Sequence, residues 1–377
     1  MKKNFCLFCA NYLPNLGGVE RYVYNLSKQL IKLGHSVTVV TSNVFDLPYY
    51  EVDENGIEIF RLPCYDFMKG RYPILNKNAK FKELDKILSQ KHFDLVVINA
   101  RFYIHSLYAA NFASKNEIKC ITIEHGSTHL SVDNKILDFF VAQVEHFITV
   151  LLKKKCKEYY AVSNAAGKWS EHFGIKSKGT LYNAVDIENI KQLEAKPVCD
   201  YKKELNIPDD ATVITFTGRL LKIKGVYELL DAYNALNRDD VYLIYAGDGP
   251  EMDELKKHST KNVIFLGQID FEHIISLLRQ SDIYCLPSVS EGMSTSVLEA
   301  VATNTFVITT YNGGARELIT DDEYGIITMG NSAQETKLAI EKALNNDYRN
   351  TACDNAYQKL LDGFTWQKTA EKLENLV

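Results

Sequence analysis

The segment "SDIYCLPSVSEGMSTSVLEAVATNTFVITT", residues 281–310, contains a strand, a helix and a second strand in order. Its first apolar run, 282–287, predicts a buried strand that ends in a loop of proline and serine residues. Apolar residues at helical spacing follow, and the β-branched run 305–310 predicts another buried strand. Strands that alternate with helices in this way indicate βαβ units, so the segment predicts an α/β fold with a mostly parallel sheet.

The same alternation continues outward along the whole chain. Further strands of the second half are predicted at 212–220, 241–249 and 262–269. Strands of the first half are predicted at 4–10, 36–42, 94–100 and 118–126, with helices such as 20–34 and about 78–91 between them. The polar stretch 187–208 connects the two halves. The pattern therefore predicts two doubly wound domains facing a cleft, over residues 1–190 and 197–363.

The composition is that of a soluble globular protein, with 46% apolar and 24% charged residues among 377. A chain of this length exceeds one typical core, which agrees with two domains. Only about six apolar residues precede Asn11, too few for a signal peptide or a membrane span. Cys6 and Cys9 lie three apart on a predicted strand and so point to opposite faces. We expect the eight cysteines to be reduced core thiols and the protein to be cytoplasmic.

Charge is distributed unevenly between the halves. Residues 1–186 carry 24 Lys and Arg against 18 Asp and Glu, whereas residues 187–377 carry 19 against 30. A basic first half predicts contact with something anionic, such as a membrane surface or a phosphate-bearing substrate, although ordinary variation in surface charge explains it equally well. The very apolar helix 136–155 is amphipathic and ends in Lys153–Lys155. We expect it to pack in the core, and its lysine end also suits an anionic lipid surface.

Candidate ligand-binding residues follow the predicted strands, because open α/β sheets bind ligands beyond the carboxyl ends of their strands. Gly17 and Gly18 precede the first helix and let the backbone approach a ligand, but the dinucleotide fingerprint G-x-G-x-x-G is absent and a plain tight turn explains them as well. In "FTGRLLKIKG" (216–225), Arg219 and Lys224 lie in a loop bounded by glycines. A guanidinium fork and an ammonium suit phosphate oxygens, with two solvated surface cations as the alternative.

The stretch "EGMSTSVLEA" (291–300) combines an anion site with two carboxylates. A helix that begins near Met293 or Ser294 presents free N–H groups and the positive end of its dipole to an anion. Glu291 and Glu299 would be poor phosphate ligands but good acceptors for sugar hydroxyls. The alternative for Glu291 is a stabilising negative charge near the N-terminus of a helix, and the alternative for Glu299 is a position on the solvated face of that helix. A nucleotide sugar has the phosphates and the hydroxyl-rich rings that this arrangement would bind.

These motifs together resemble glycosyltransferase family 4. Glu291 and Glu299 are spaced as in that family's E-x7-E motif. The other matching segments are 218–225, "IFLGQI" (264–269), "SDIYCLPSVSEGMSTSVLEA" (281–300), "YNGGARELI" (311–319), Gly17–Gly18 and "LYNAVD" (181–186). The resemblance covers essentially the whole chain. It implies a retaining, metal-independent enzyme of GT-B architecture, with two Rossmann-like domains and a last helix, 364–377, that crosses back to the first.

The resemblance also implies a role for each site residue. Arg219 and Lys224 would neutralise the donor diphosphate, while Glu291 would hold hydroxyls of the transferred sugar. His125, in "IEHGSTH", would lie near the donor sugar and the acceptor. The implied donor-binding residues are Gly218 beside the cations, Gly292, Met293, Ser294 and Thr295 beside the sugar, Glu299 at the ribose, Gly267, Gln268 and Ile269 beside the base, and Gly17 and Gly18 at the diphosphate.

Three departures from the family pattern leave the identity of the transferred sugar undetermined. Ala184 replaces a common glycine, Ser294 a frequent proline, and Asn304 a helix-end glycine, but none of these removes a phosphate or hydroxyl ligand. His125 and His129 form an HxxxH pair, yet the pair follows a strand directly and no carboxylates or cysteines cluster around it in the sequence. We therefore expect no metal at the site, and for His125 either a substrate contact or a structural role.

The sequence thus predicts a transferase that moves a hexose-type sugar from a nucleoside-diphosphate sugar, which we expect to be linked to UDP, to a glycan or lipid-linked acceptor. We expect no cofactor besides this co-substrate, no nucleic-acid partner, and possible contact with an anionic membrane at its cytoplasmic face. The family resemblance suggests a place in bacterial surface-polysaccharide synthesis. A nucleotide-sugar epimerase on the same scaffold and a sugar-binding module without turnover are the alternatives.

Overall fold

A computed structural model describes residues 1–15, 17–67, 70–129, 135–345 and 347–377, with only the backbone at 135 and 136. The chain divides into two compact units. The first comprises Met1–Asn183 together with Trp366–Val377, and the second is the continuous segment Ala184–Thr365. The linker helix at 187–195, which the sequence analysis placed at the boundary, packs against another helix of the second unit, so that unit begins before it.

The first unit is built on a seven-stranded sheet in the order β3-β4-β2-β1-β7-β8-β9. All neighbouring strands are parallel except β3 and β4. The strands are β1 (Asn4–Cys9), β2 (Ser36–Ser42), β3 (Tyr50–Val52), β4 (Glu58–Leu62), β7 (Leu95–Asn99), β8 (Cys120–Glu124) and β9 (Glu158–Ala161), with a separate hairpin of β5 (Cys64–Tyr65) and β6 (Ile74–Leu75). The helices are α1 (Gly18–Lys32), α2 (Ala79–Ser89), α3 (Ile104–Lys115), α4 (Lys135–Lys155) and α5 (Asn164–Ser170).

The second unit contains a six-stranded, fully parallel sheet in the order β12-β11-β10-β13-β14-β15. Its strands are β10 (Thr212–Thr217), β11 (Val241–Ala246), β12 (Val263–Gly267), β13 (Ile283–Leu286), β14 (Phe306–Thr310) and β15 (Ile326–Thr328). Its helices are α6 (Ile187–Ala195), α7 (Tyr201–Glu204), α8 (Val226–Leu236), α9 (Met252–His258), α10 (Phe271–Arg279), α11 (Thr295–Ala302), α12 (Ala333–Leu344) and α13 (Arg349–Gly363). A final helix, α14 (Trp366–Glu374), belongs to the first unit.

Both sheets are buried on their two faces, which explains why their strands read as continuous apolar runs rather than alternating ones. In β13, all four residues of Ile283–Leu286 are buried, and so are all five of β7. The strand order reverses between β1 and β7 in the first unit and between β10 and β13 in the second. Ligands of open α/β folds bind at such reversals, beyond the carboxyl ends of the strands.

The predicted α/β fold with two Rossmann-like domains is confirmed. The β-branched run 36–42 forms β2 with the predicted bounds, Ser36–Ser42. Two short edge strands were missed: β3 lies at an edge of the sheet of the first unit, and β15 lies at an edge of the sheet of the second unit. Three residues are too few to produce a readable periodicity, so such strands are defined by their neighbours rather than by local sequence.

Helix α4 buries polar side chains and exposes several large apolar ones, which is the opposite of what was expected. The polar residues Glu145 and Thr149 are buried, whereas the phenyl rings of Phe140 and Phe147 are 60% and 65% exposed. The expectation that the apolar side of this helix packs in the core is therefore wrong for most of its length. A buried ion-pair network described below accounts for the inward position of Glu145. None of the helices in the described part of the chain has both the length and the apolar character needed to cross a membrane.

Candidate functional site

The candidate site of the second unit is formed where its strand order reverses. The loop after β10 carries Lys224 and the loop after β13 carries Glu291, and hydrogen bonds join the two loops. The Val289 amide donates to the Ile223 carbonyl at 2.9 Å, and the Ser288 hydroxyl donates to the same carbonyl at 3.1 Å. Because the two strands are parallel neighbours, residues that are far apart in sequence meet at one edge of the sheet.

Gly225 lets these loops approach closely. Its φ of +73° lies in the left-handed region, and a Cβ built on it would meet the Pro287 carbonyl oxygen at 2.0 Å. A side chain at this position would therefore separate the two loops and impose an unfavourable backbone conformation. The glycine that follows Lys224 thus fixes where that lysine emerges.

Lys224 forms an ion pair with Glu291. Both side chains are half-buried, with 27% of Lys224 and 14% of Glu291 exposed. Arg219 is exposed on the same loop and has no ion-pair partner among the residues that the structure describes. The structure thus brings one predicted cation onto a predicted sugar-binding carboxylate and leaves the other cation available to a ligand.

The helix that follows, α11, begins at Thr295, with Ser294 as its N-cap. The Ser294 side chain makes no capping bond to the first turn. Its hydroxyl instead lies 2.9 Å from the Ser296 hydroxyl, which accepts from the Tyr284 hydroxyl at 2.6 Å. Since the cap side chain is engaged elsewhere, it does not cover the N–H groups of the first turn, which are the groups that bind anions at helix N-termini.

Glu299 is buried, with 7% of the residue exposed, so it does not lie on a solvated helix face. It stands on α11, in the turn that follows Thr295. Burial raises the pKa of Tyr284, and the nearby carboxylates of Glu299 and Glu291 add to the effect. A buried carboxylate at this place can accept hydrogen bonds from hydroxyl groups with little competition from water.

A glycine after β14 supports Glu291 from the other side. Gly313 has a φ of +116°, and a Cβ built on it would lie 2.4 Å from the Glu291 carbonyl oxygen. The Gly314 amide donates to that carbonyl at 3.3 Å. Three consecutive strand ends, those of β10, β13 and β14, therefore hold the Lys224–Glu291 pair and the start of α11.

The predicted base-side residues lie at the same edge of the sheet. Gly267 ends β12 with a φ of +70°, and its carbonyl accepts from the Gly247 amide at 2.7 Å. Gly247 in turn packs tightly on Gly218, since an added Cβ would meet the Gly218 carbonyl oxygen at 1.9 Å. Gln268 is exposed and Ile269 is half-buried. Gly292 is half-buried and Met293 is buried, both just before α11.

In the first unit, a carboxylate occupies the start of α1. Gly17 is the N-cap of this helix, and a Cβ built on it would meet the Glu20 carboxylate at 2.2 Å. Asn15 donates to Glu20 at 3.1 Å, and burial raises the pKa of Glu20. Gly18 remains open, because a Cβ added to it would meet no atom of another segment within 4 Å. This position of Glu20, against the backbone at the start of α1, was not predicted from the sequence.

His125 follows β8 and is held by Asn99 at the end of β7. Its Nε2 lies 3.0 Å from Asn99 Oδ1, and Asn99 Nδ2 donates to the Phe8 carbonyl at 3.2 Å. Asn99 therefore presents its oxygen, so Nε2 of His125 carries the proton and Nδ1 is left as an acceptor. Burial lowers the pKa of His125 to about 3, which keeps the ring neutral. Tyr22 contacts the ring edge-to-face at 4.8 Å between centroids.

A buried ion-pair network beside His125 was missed by the sequence analysis. Arg101, just beyond β7, lies 2.8 Å from Glu124 and donates to Glu145 of α4 at 2.6 Å. All three side chains are at most 3% exposed. Glu124 also accepts from the amides of His125 and Gly126, at 3.0 and 3.1 Å. Burial nevertheless raises the pKa of the Glu124 carboxyl. The network fixes the loop that carries His125.

Comparison with known proteins agrees with this architecture. The family model "Glycosyltransferase Family 4" matches residues 16–189, and the model "Glycosyl transferases group 1" matches residues 199–359. An uncharacterized glycosyltransferase of Methanocaldococcus jannaschii is 27% identical, over 100% of this chain and 98% of the relative. The phosphatidylinositol N-acetylglucosaminyltransferase GPI3 subunit of Saccharomyces cerevisiae is 26% identical, over 98% of this chain and 81% of the relative.

A solved structure shares the fold across both units. Anabaena HepE in complex with UDP superposes with a TM-score of 0.77 at 18% identity, over 99% of each chain. The fold and the arrangement of the site define the class of protein as a glycosyltransferase of GT-B type. Within that class, the chain belongs to glycosyltransferase family 4, whose two models together span most of its length. It is therefore a transferase, which disfavours the epimerase and the non-catalytic module.

Proposed function

We propose that the protein transfers a hexose-type sugar from a UDP-linked donor to a glycan or lipid-linked acceptor, with retention at the anomeric carbon and without a metal. The observation that carries this proposal is the ion pair of Lys224 and Glu291 beside the uncapped start of α11. Binding of UDP by Anabaena HepE supports the choice of nucleotide. Bacterial surface-polysaccharide synthesis is the pathway we favour, from the family resemblance.

The donor diphosphate would bind Arg219, Lys224 and the N–H groups at the start of α11. Fixed cations and oriented N–H groups stabilise the negative charge that develops on the leaving diphosphate, the kind of term that commonly dominates such steps. Lys224 would exchange its contact with Glu291 for a phosphate oxygen. Glu291 would then be free to accept hydrogen bonds from the transferred sugar, while Glu299 binds the ribose.

The acceptor hydroxyl would attack from the face that the diphosphate leaves, so the configuration at the anomeric carbon is retained. The C–O bond to the diphosphate breaks as the new glycosidic bond forms, and a donor phosphate oxygen takes the hydroxyl proton. His125, neutral and with a free Nδ1, would accept a hydrogen bond from a sugar hydroxyl rather than transfer a proton.

Product analysis with a matched set of donors tests this function. Thermal-shift measurements with UDP-, GDP- and ADP-sugars identify the donor, because a ligand that binds only the folded state raises its apparent stability. Incubation of the best donor with candidate lipid-linked glycans, followed by NMR of the product, then reports the anomeric configuration. We expect an axial linkage from an axial donor, and turnover that does not depend on added Mg²⁺ or Mn²⁺. An inverted product, or a free isomer of the donor, would contradict the proposal.

We further propose that the first unit meets an anionic membrane through α4. The exposed face of this helix carries Phe139, Phe140, Val144 and Phe147, and lysines 153–155 lie in its last turn. Apolar side chains beside a basic cluster are typical of helices that lie in a lipid interface. The yeast relative is named for a phosphatidylinositol acceptor, which agrees with a lipid substrate.

Vesicle flotation tests the membrane contact. We expect the protein to float with vesicles containing phosphatidylglycerol and to remain in solution with neutral vesicles. A variant with Phe140→Ser and Phe147→Ser should lose flotation, whereas Ile87→Ser, an exposed apolar residue on α2, should not. Equal flotation of both variants, or none of the native protein, would exclude this surface.

A further inference from the structure

Three histidines from separate segments converge in the first unit. His129 follows β8, His146 lies on α4, and His172 lies in the short 3-10 helix Glu171–Phe173. One ring nitrogen of each lies within 4.8 Å of the corresponding nitrogens of the other two. His129 and His146 are half-buried and His172 is exposed, so solvent reaches the cluster from one side.

A buried carboxylate orients one of the three rings. His129 Nδ1 lies 2.6 Å from Glu145 Oε2, and the other oxygen of Glu145 accepts from Arg101 at 2.6 Å. When Nδ1 donates its proton to this carboxylate, Nε2 of His129 keeps its lone pair and can bind a metal ion. Metal-binding histidines in proteins usually make such a bond to a carboxylate through the second ring nitrogen.

Aromatic side chains restrict the other rings. Trp169 stacks on His172 with 5.0 Å between centroids and 7° between planes. Phe173 contacts His146 with 4.6 Å between centroids and His172 with 4.9 Å. These contacts leave the imidazoles little freedom to turn away from one another. The cluster therefore combines three ligands of one kind, an orienting carboxylate and a firm aromatic surround.

We propose that His129, His146 and His172 form a site for a transition-metal ion of the Zn²⁺ class. Imidazole nitrogens suit zinc, copper and nickel rather than magnesium or calcium. With Zn–N bonds of about 2.0–2.1 Å, tetrahedral ligands lie roughly 3.3 Å apart, so the ring nitrogens would approach one another by up to about 1.5 Å on binding. The exposed side of the cluster leaves the fourth position to water.

The ion would have a structural role. It would tie the loop after β8 to α4 and to the end of α5, and that loop also carries His125, four residues before His129. The site uses none of the residues assigned to the donor, so it is compatible with sugar transfer that needs no metal at the diphosphate. It does not depend on the proposed function, and its test reads metal binding rather than turnover.

Cobalt titration of the untagged, metal-stripped chain tests the site directly. Co²⁺ bound by three imidazoles and water gives the intense visible absorption of tetrahedral cobalt, and added Zn²⁺ should abolish it. We expect saturation near one equivalent per chain. His172→Gln removes an exposed ligand with little risk to folding. The control His92→Gln removes another exposed histidine of the same unit, which lies beside Asp94.

The two variants should behave differently. His172→Gln should lose the cobalt spectrum and bind Zn²⁺ at least tenfold more weakly, while His92→Gln should match the native protein. His146→Gln should reproduce the loss seen with His172→Gln. Absence of a tetrahedral spectrum in the native protein, or cobalt uptake that His172→Gln leaves unchanged, would overturn the assignment.

Discussion

Replacement of Lys224 by methionine tests the electrostatic core of the proposed reaction. Lys224→Met keeps most of the length and apolar stem of the side chain but removes the ammonium group that contacts Glu291. We expect kcat to fall by a factor of about 10²–10³, because the leaving diphosphate loses one of its fixed cations. The folded structure should persist, since the partner carboxylate is 14% exposed and can be hydrated.

The magnitude follows from the position of the lysine. Two unit charges about 4 Å apart interact by roughly 4 kcal/mol at an effective dielectric constant near 20. Desolvation offsets part of this attraction, and removal of one preorganised group of this kind typically costs about 2.7–4 kcal/mol in the transition state. That range corresponds to the expected loss in kcat. The effect on folding stability should be about 1 kcal/mol or less, as for other partly exposed ion pairs.

The control variant is Lys222→Met, in the same short 3-10 helix, Lys222–Lys224. Lys222 is exposed, and its removal changes the net charge of the loop by the same amount. UDP release should be measured with saturating donor and acceptor, and the donor dissociation constant by calorimetry. We expect Lys222→Met to retain activity within about twofold. If the two variants lose activity equally, the effect reflects the general charge of the loop, and the specific role of Lys224 is wrong.

Three further outcomes follow from the described contacts. Glu299→Gln should weaken UDP binding by about 1.5–3 kcal/mol, which is the usual contribution of a hydrogen bond to a charged group. Binding of inorganic pyrophosphate, which has no ribose, should be affected less. Equal weakening of both ligands would contradict a contact between Glu299 and the ribose. Gly225→Ala should lower the free energy of unfolding, measured with urea, by at least about 1–3 kcal/mol, because the left-handed φ disfavours alanine and the added Cβ would clash with the Pro287 carbonyl. Gly363→Ala is the control, since a Cβ added there meets no atom of another segment. Burial lowers the pKa of His105 to about 3, so the unfolded chain binds a proton there below about pH 6.5 that the folded chain does not. The stability that neutral His105 contributes is complete above pH 6.5 and decreases as the pH falls toward 3. His105→Phe should therefore reduce the slope of the unfolding free energy against pH by about 1.4 kcal/mol per pH unit near pH 5. An unchanged slope would show that His105 is protonated in the folded protein.

The fold was readable from the sequence because long apolar strands and amphipathic helices alternate with little interruption. The arrangement of the Lys224 and Glu291 loops was also predictable in outline, since parallel strands place their carboxyl ends at one edge. Their direct ion pair was not predicted, because it depends on β10 and β13 being neighbours. Sequence alone does not give the order of strands in a sheet.

Buried charges were the main omission. Arg101 and Glu145 lie 44 positions apart, and each is flanked by residues that give no sign of an ion pair. Charged residues are usually exposed, so local sequence places them at the surface unless a partner is known. The ion pair with Arg101 also sets the orientation of α4: because it keeps Glu145 buried, the side of the helix that carries Phe140 and Phe147 faces outward. The expectation from periodicity failed where a tertiary contact outweighed it.

The assignment of α14 to the first unit determines what a short C-terminal truncation removes from the protein. The second unit is one continuous stretch, Ala184–Thr365, whereas the first requires Trp366–Val377 as well. A chain that ends at Thr365 therefore contains the whole second unit but lacks the helix whose Trp366 packs against Tyr22 of the first unit. In such a truncated chain the second unit is complete, whereas the first unit exposes the surface that this helix covers.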